Sequence, residues 1–178
     1  MPTKKRNSWT AVAAICTLVA ATAHADDRAY TYECDAPEGH HSSWTATTQA
    51  HTITITGSLR INEVRLHKKF VGVVYVYVKG GDDGKTSFGF RGYDADDNQS
   101  LFFKLMKPGG HEDLGRKPVK AGSKRIPFRL ELTTSGSLRA KVGEDERSVE
   151  LGAFAPKSIS LGCSTGDFSF SDVRIVEE

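Results

Sequence analysis

Aromatic and basic side chains alternate with apolar residues in three segments near the middle of the sequence. Aromatic rings stack on the faces of sugars, and Arg or Lys donates hydrogen bonds to hydroxyls or uronate carboxylates. If the three segments are neighbouring strands, one surface gathers these side chains and predicts a binding platform for a glycan, with enough positive charge for an acidic one. The candidate ligand-binding residues are Tyr75, Tyr77, Arg91, Phe102 and Lys104.

Two other functions remain open for the same residues. A polysaccharide lyase needs a group that neutralises a carboxylate, a base and an acid close together. Arg91, Lys104 and Tyr77 could supply these groups, with Tyr75 as a second phenol, so a small lyase or hydrolase is the alternative to a non-catalytic glycan-binding module. No catalytic motif assigns residues to such a reaction. Tyrosines and long basic side chains are also common on the solvent side of any sheet, which leaves room for an envelope structural or protein-interaction module.

The elements that must position these residues are strands. Apolar residues alternate with polar ones in about ten segments, and Gly, Ser, Asp and Asn clusters separate the segments. No stretch of ten residues has a helical apolar stripe. Val74, Val76 and Val78 are expected to face inward, and the polar segment 107–124 is expected to be the longest loop. This pattern predicts an all-β fold, an antiparallel sandwich or barrel, with a single domain over residues 26–178. One apolar side on each strand favours the antiparallel two-sheet β-sandwich, and it would be of the jelly-roll type if Cys34 and Cys163 bring the two ends of the chain together.

The phase of the alternation changes twice. It shifts between Ile61 and Val64, and again between Phe170 and Val173. An extra residue in a strand has this effect, so we expect a bulge or bend at both places.

Residues 1–25 have the composition of a secretory signal. Basic residues at positions 4–6 precede an apolar run of about 15 residues, which is short for a membrane span of ~30 Å, and Ala23-His24-Ala25 fits a signal peptidase site. The expected location is therefore secreted or periplasmic, with no membrane insertion after cleavage. Cleavage would leave 21 of the 24 basic residues against 22 acidic ones and change the formal charge from +2 to −1. A nucleic-acid partner is not expected without a basic excess.

Two cysteines would remain in the exported chain, Cys34 and Cys163. An even pair in an oxidising compartment predicts a disulfide, and that bridge would place the first and last strands side by side. Two separate buried thiols are the alternative. A Cys-x-x-Cys redox motif is absent.

No metal or other cofactor is predicted with a defined ligand set. The segment Asp94-Ala-Asp-Asp-Asn98 has oxygen donors at alternate positions, as half of a calcium loop does, but Gln99 and Leu105 stand where that loop has Gly and Glu. An acidic turn is the preferred interpretation, and a structural calcium ion is the alternative. The adjacent His40 and His41 are expected to point in different directions in a loop, which does not suit zinc.

The C-terminal third resembles the end of a concanavalin A-like (lectin or glucanase type) jelly roll. The resemblance covers about residues 126–176 and rests on three segments: Phe128-Arg-Leu-Glu-Leu, Ser135-Gly-Ser-Leu-Arg-Ala-Lys-Val and Leu161-Gly-Cys-Ser-Thr-Gly-Asp-Phe-Ser-Phe-Ser-Asp-Val-Arg-Ile. It implies a curved two-sheet sandwich whose concave face often binds glycans. The Glu-x-Asp-x-Glu pattern of laminarinase-like glycosidases is absent. Tyr75-Val-Tyr-Val-Lys79 is similar to a Tyr-x-Lys strand of alginate lyases, but the matching Gln-x-His element is missing.

Overall fold

A computed structural model describes residues 29–65, 67–81, 86–94, 99–107, 109–115 and 117–178. The predicted signal, residues 1–25, lies outside the described residues. So does most of the acidic turn at 94–98, including its calcium alternative.

The described residues form strands and no helix, as the alternating sequence predicts. None of them belongs to a helix of the length and hydropathy that crossing a membrane requires. Eleven strands follow in chain order: β1 (Tyr30–Thr47), β2 (Ile53–Val64), β3 (Val73–Gly80), β4 (Thr86–Asp94), β5 (Ser100–Lys107), β6 (Gly110–Asp113), β7 (Val119–Lys120), β8 (Ile126–Leu132), β9 (Ser137–Val142), β10 (Asp145–Glu150) and β11 (Pro156–Glu177).

The strands form one antiparallel hydrogen-bonded sheet that curls into two layers. Its order is β10-β9-β8-β2-β11-β3-β4-β5-β6, with β1 paired to β11 and β7 to β5. The long strand β11 belongs to both layers, because residues 166–177 pair with β2 and residues 156–164 pair with β3. We call the layer that holds β2, β8, β9 and β10 the first layer, and the layer that holds β3, β4, β5 and β6 the second layer. The predicted two-sheet sandwich is confirmed.

The change of layer occurs at Thr165. This residue has a φ of 49° and lies between the two paired halves of β11. Left-handed backbone is costly for a β-branched residue, and hydrogen bonds fix it here: Arg65 N donates to Thr165 O, and Gly39 N donates to Thr165 Oγ1. Opposite Thr165, β1 has an irregularity between Ala36 and His41, so both strands bend together.

A disulfide joins the layers next to this bend. Cys34 lies on the part of β1 that pairs with the first-layer half of β11, and Cys163 lies on the second-layer half. The two residues are bonded to each other with Cα atoms 6.0 Å apart, and both are fully buried. The predicted disulfide and the predicted pairing of the first and last strands are therefore confirmed.

The inward-facing side chains of the two layers form the hydrophobic core between them. Val74, Val76 and Val78 of β3 are completely buried in it, as the alternation predicts. The rings of Phe90 on β4 and Phe128 on β8 meet across the layers with centroids 5.4 Å apart. This packing turns the alternate side chains of β3, β4 and β5 away from the core, onto the outer face of the second layer.

The phase changes in the sequence are bulges. The pairing of β11 with β2 shifts between Asp167 and Phe168, where Asn62 is the extra residue, and again between Ser171 and Arg174. Asp172 has a φ of 55° at the second shift. The two predicted irregularities are thus confirmed.

The prediction of one long loop over residues 107–124 is wrong. Gly109 and Gly110 reverse the chain with positive φ, and β6 then pairs back onto β5, with Lys107 opposite Gly110. The Lys107 ammonium and the Glu112 carboxylate form an ion pair across this hairpin. The sequence does not reveal this strand, because β6 lies at the edge of the sheet, has no apolar side to bury and is therefore polar throughout.

Candidate functional site

The five predicted ligand-binding residues lie on three adjacent strands of the second layer. In the register of the sheet, Tyr75 of β3 stands beside Arg91 of β4, and Arg91 stands beside Lys104 of β5. Phe102 is two residues from Lys104, and Tyr77 is two residues from Tyr75, so all five share the outer face. We call this surface the outer face of β3–β5. The strand order assumed from the sequence is the one that the structure has.

The side chains of the two tyrosines are less exposed to solvent than the predicted binding platform requires. Tyr75 and Tyr77 are each 8% exposed and stack on each other with ring centroids 4.6 Å apart. The Tyr75 ring lies across Gly162 of β11, where an added Cβ would lie 2.6 Å from Tyr75 Cζ and overlap the hydroxyl. The absence of a side chain at Gly162 therefore lets the ring lie flat. Val73, Tyr75 and Tyr77 form a small apolar cluster on this face, and Tyr93 and Met106 pack against it.

Burial changes the acidity of both phenols. It raises the pKa of Tyr77 from 10.0 to about 12, because exclusion of water disfavours the phenolate, and the nearby Arg91 charge offsets only part of this effect. Burial also raises the pKa of Tyr75. Both phenols therefore keep their protons at neutral pH and act there as neutral hydrogen-bonding groups.

Arg91 is held by an aromatic ring rather than by a carboxylate. Its guanidinium carbon lies 4.6 Å from the centroid of the Tyr93 ring, at cation–π distance. Its Nε is buried and has no hydrogen-bond partner among the described residues, and no described carboxylate forms an ion pair with it. Because Nε is enclosed, an anion can reach only the other guanidinium donors of this partly exposed side chain, and two donors of a guanidinium match the two oxygens of a carboxylate.

Lys104 opens onto a cleft at the edge of the sandwich. Its Nζ donates to Nε2 of His111 at 3.1 Å and lies 3.9 Å from Asp113 Oδ1. The cleft has a volume of about 630 Å³, and we call it the edge cleft. Its lining combines residues from both layers: Tyr93, Asp94, Phe102, Lys104, Asp113, Gly115 and Arg147. Phe102 is 36% exposed there, which leaves a ring face free for stacking.

Sequence reasoning missed three residues that line the edge cleft or contact the outer face of β3–β5. Tyr93 follows Arg91 at the alternate position of β4, so the period-two rule that found Arg91 could also have found it. Arg147 reaches the edge cleft from β10 in the other layer, and no local signal predicts that approach.

The third missed residue is His41, which lies in β1 rather than in a loop. Its Nε2 is 2.7 Å from the Tyr75 hydroxyl, and the two rings are nearly parallel with centroids 5.9 Å apart. His41 shares its face with Ser43 and Thr45 at alternate positions, and the predicted pairing of the first and last strands could have placed it near β3.

The described residues contain no group of three or more His, Cys, Asp or Glu placed to hold a metal ion. What the surface offers instead is a row of polar donors. Neutral phenols lie at one end, the cations Arg91 and Lys104 lie in the middle, and the exposed ring of Phe102 lies at the edge cleft. Such a row can hydrogen-bond hydroxyls, bind carboxylates and stack on a pyranose ring.

No protein-family model matches this chain, and no curated protein matches it. Solved structures do resemble it. The marine PL7 alginate lyase AlyA1 from Zobellia galactanivorans superposes with a TM-score of 0.57 at 11% identity, covering 86% of this chain and 81% of that one. The polysaccharide lyase family 18 protein aly-SJ02 gives 0.57 at 8% identity, with 83% and 88% covered. The carbohydrate binding module CBM66 from Bacillus subtilis gives 0.50 at 11% identity, with 82% and 86% covered. These likenesses show the fold.

Proposed function

We propose that this chain is an exported glycan-binding protein that holds an acidic polysaccharide on the outer face of β3–β5 without cleaving it. The observation that carries the proposal is Arg91, which is fixed on the Tyr93 ring beside Lys104 and has no carboxylate partner among the described residues. The likeness of the fold to alginate lyases and to a carbohydrate binding module supports a glycan as the ligand class.

Each part of the surface has a role in this proposal. Arg91 and Lys104 bind uronate carboxylates or other acidic groups. Phe102 stacks on a sugar ring at the edge cleft, and the neutral phenols of Tyr75 and Tyr77 accept or donate hydrogen bonds to hydroxyls. Because charge-assisted hydrogen bonds contribute about 1.5–3 kcal/mol each, the two cations account for most of the discrimination between an acidic and a neutral chain.

Isothermal titration with uronic acid oligosaccharides, and with neutral glucose oligosaccharides of equal length, tests the proposal. The wild type should bind the acidic series and not the neutral one. Arg91→Gln with Lys104→Gln should weaken binding at least about tenfold, the equivalent of 1.4 kcal/mol. The first layer offers a matched control, because Arg129 and Lys141 are also cross-strand neighbours. Arg129→Gln with Lys141→Gln removes the same charge and should leave binding unchanged. Equal losses in both double variants would refute a site on β3–β5.

A lyase is the second candidate, and the contact between His41 and Tyr75 favours it. The imidazole and the phenol are 2.7 Å apart, and Arg91 stands beside Tyr75 across the strands. In such a reaction Arg91 would neutralise the uronate carboxylate. Either His41 or Tyr75 would take the proton from the carbon that bears this carboxylate, and the other would protonate the departing glycosidic oxygen. Tyr77 suits the acid role better than the base role, because its pKa of about 12 keeps it protonated.

The ultraviolet absorbance of unsaturated uronate products separates the two candidates. A steady rise with wild-type protein, abolished in His41→Asn, would establish the lyase and overturn the non-catalytic proposal. Binding of the oligosaccharide without any rise, over a series of uronic acid polymers, would support binding alone.

A further inference from the structure

Strand β1 lies at the edge of the sheet. It hydrogen-bonds to β11 on one side, and no other described strand pairs with it. Because β11 runs through both layers, β1 borders both of them. An unpaired edge of this kind presents backbone donors and acceptors that can pair with another chain.

The second-layer half of β1 lacks the usual protection of such an edge. Proteins protect edges with charged residues, proline, bulges or very short strands. The edge strand β10 carries four charged residues in six, and β6 is four residues long with two acidic residues. The first-layer half of β1 carries Glu33 and Asp35 and ends at Pro37 in the irregular stretch before His41. Residues 41–47, His-Ser-Ser-Trp-Thr-Ala-Thr, contain no Asp, Glu, Lys, Arg or Pro and pair regularly with β11 throughout.

We propose that residues 41–47 of β1 pair antiparallel with the same segment of a second copy of this chain, which makes the protein a two-fold dimer. A strand that pairs with itself about a two-fold axis is self-complementary, and the association closes after two copies. A second copy fits this segment because no like charges meet at any register within it. The corresponding self-pairing of the first-layer half would place Glu33 and Asp35 against their own copies.

The geometry of the dimer follows from the strand pattern. The register must keep the partly buried Ser42, Trp44 and Ala46 on the inner side in both copies, so Ser43 and Thr45 face outward together. A two-fold axis normal to the sheet keeps the outer faces of the two second layers on the same side. Each copy's His41, and beyond it Tyr75 and Arg91, then lies on one continuous sheet that spans both copies. If the face binds polysaccharide as proposed above, a long chain can contact two sites at once, and this consequence alone rests on the proposed function.

The mass of the protein in solution, measured by light scattering after gel filtration across a concentration series and without any glycan, tests the dimer. The wild type should have twice the mass of one chain. Ser43→Lys with Thr45→Lys puts like charges opposite each other in registers centred on this segment and should give a monomer. Ser148→Lys, on the edge of β10, is the matched control and should remain a dimer. Circular dichroism checks that each variant keeps its strands.

Charge reversal keeps the test informative if the lysine variant is unstable. Ser43→Glu with Thr45→Glu should also be monomeric alone, and mixing it with the lysine variant should restore a dimer of one copy of each. A monomeric wild type would overturn the proposal. So would a dimer that survives both double substitutions. Glycan titration is not used in these measurements, so a failed dimer and a failed glycan site give separate results.

Discussion

Alkaline pH should destabilise this protein through Tyr77. Burial on the outer face of β3–β5 raises the pKa of Tyr77 from 10.0 to about 12, whereas the phenol of the unfolded chain ionises near 10. Between these two values the unfolded state binds fewer protons than the folded state, so the free energy of unfolding falls as pH rises. At about 1.4 kcal/mol for each pH unit, the loss is about 3 kcal/mol and is complete once pH exceeds the folded-state pKa.

Urea unfolding at a series of pH values, on wild type and Tyr77→Phe, measures this loss. Other groups titrate in both proteins and cancel in the difference between them. Because each phenol is only half ionised at its own pKa, about 2 kcal/mol of the full loss should appear between pH 10 and 12 in the wild type relative to Tyr77→Phe. A difference between wild type and Tyr77→Phe that stays constant over this range would refute the enclosed phenol and the geometry of the site around it.

Three further perturbations have defined outcomes. Cys34→Ser with Cys163→Ser removes a cross-link between residues 129 positions apart. Denaturant titrations should show a free energy of unfolding lower by up to about 5 kcal/mol, and a loss below about 1 kcal/mol would contradict a structural role for this disulfide between the layers. Gly162→Ala should displace the Tyr75 ring and cost about 1–3 kcal/mol. The cost should be smaller in a Tyr75→Ala background, where the contact of the added Cβ with Ser42 O at 2.7 Å remains, and a cost that is not reduced there would contradict a ring over Gly162. The affinity for uronic acid oligosaccharides should fall as salt is added, because Arg91 and Lys104 are screened; an affinity independent of ionic strength would argue against a charged site.

Much of the fold was predictable because each strand has one side to bury. The alternation of Val74, Val76 and Val78 with tyrosines assigns the two sides of β3 from sequence alone. The phase changes near Asn62 and Asp172 locate the bulges, and the pairing of Cys34 with Cys163 follows from their number once a signal is assumed. These features depend on local periodicity or on a count, and both are visible in one sequence.

The remainder depends on contacts between distant residues. β11 serves both layers because Thr165 adopts left-handed backbone, and nothing in its neighbours' sequence requires that conformation. Gly162 lies 87 positions from Tyr75 in the chain, so the enclosure of that tyrosine is not readable from the alternation, which predicts only the side of the sheet. The position of Arg147 in the edge cleft is likewise not readable from the sequence, because it depends on a contact between the two layers. The five predicted residues were therefore correctly grouped on one face, whereas their exposure was not predictable.

Met106 provides the most direct test of where a glycan binds. The sequence has two methionines, Met1 and Met106, and the signal prediction removes the first. Met106 lies on the outer face of β3–β5, where its Sδ is 3.6 Å from the Tyr93 hydroxyl. In protein labelled with ¹³C at the methionine methyl group, uronic acid oligosaccharides should shift the Met106 resonance along a saturating curve, and neutral oligosaccharides should not. A resonance that stays in place while calorimetry records binding would contradict a glycan site on this face.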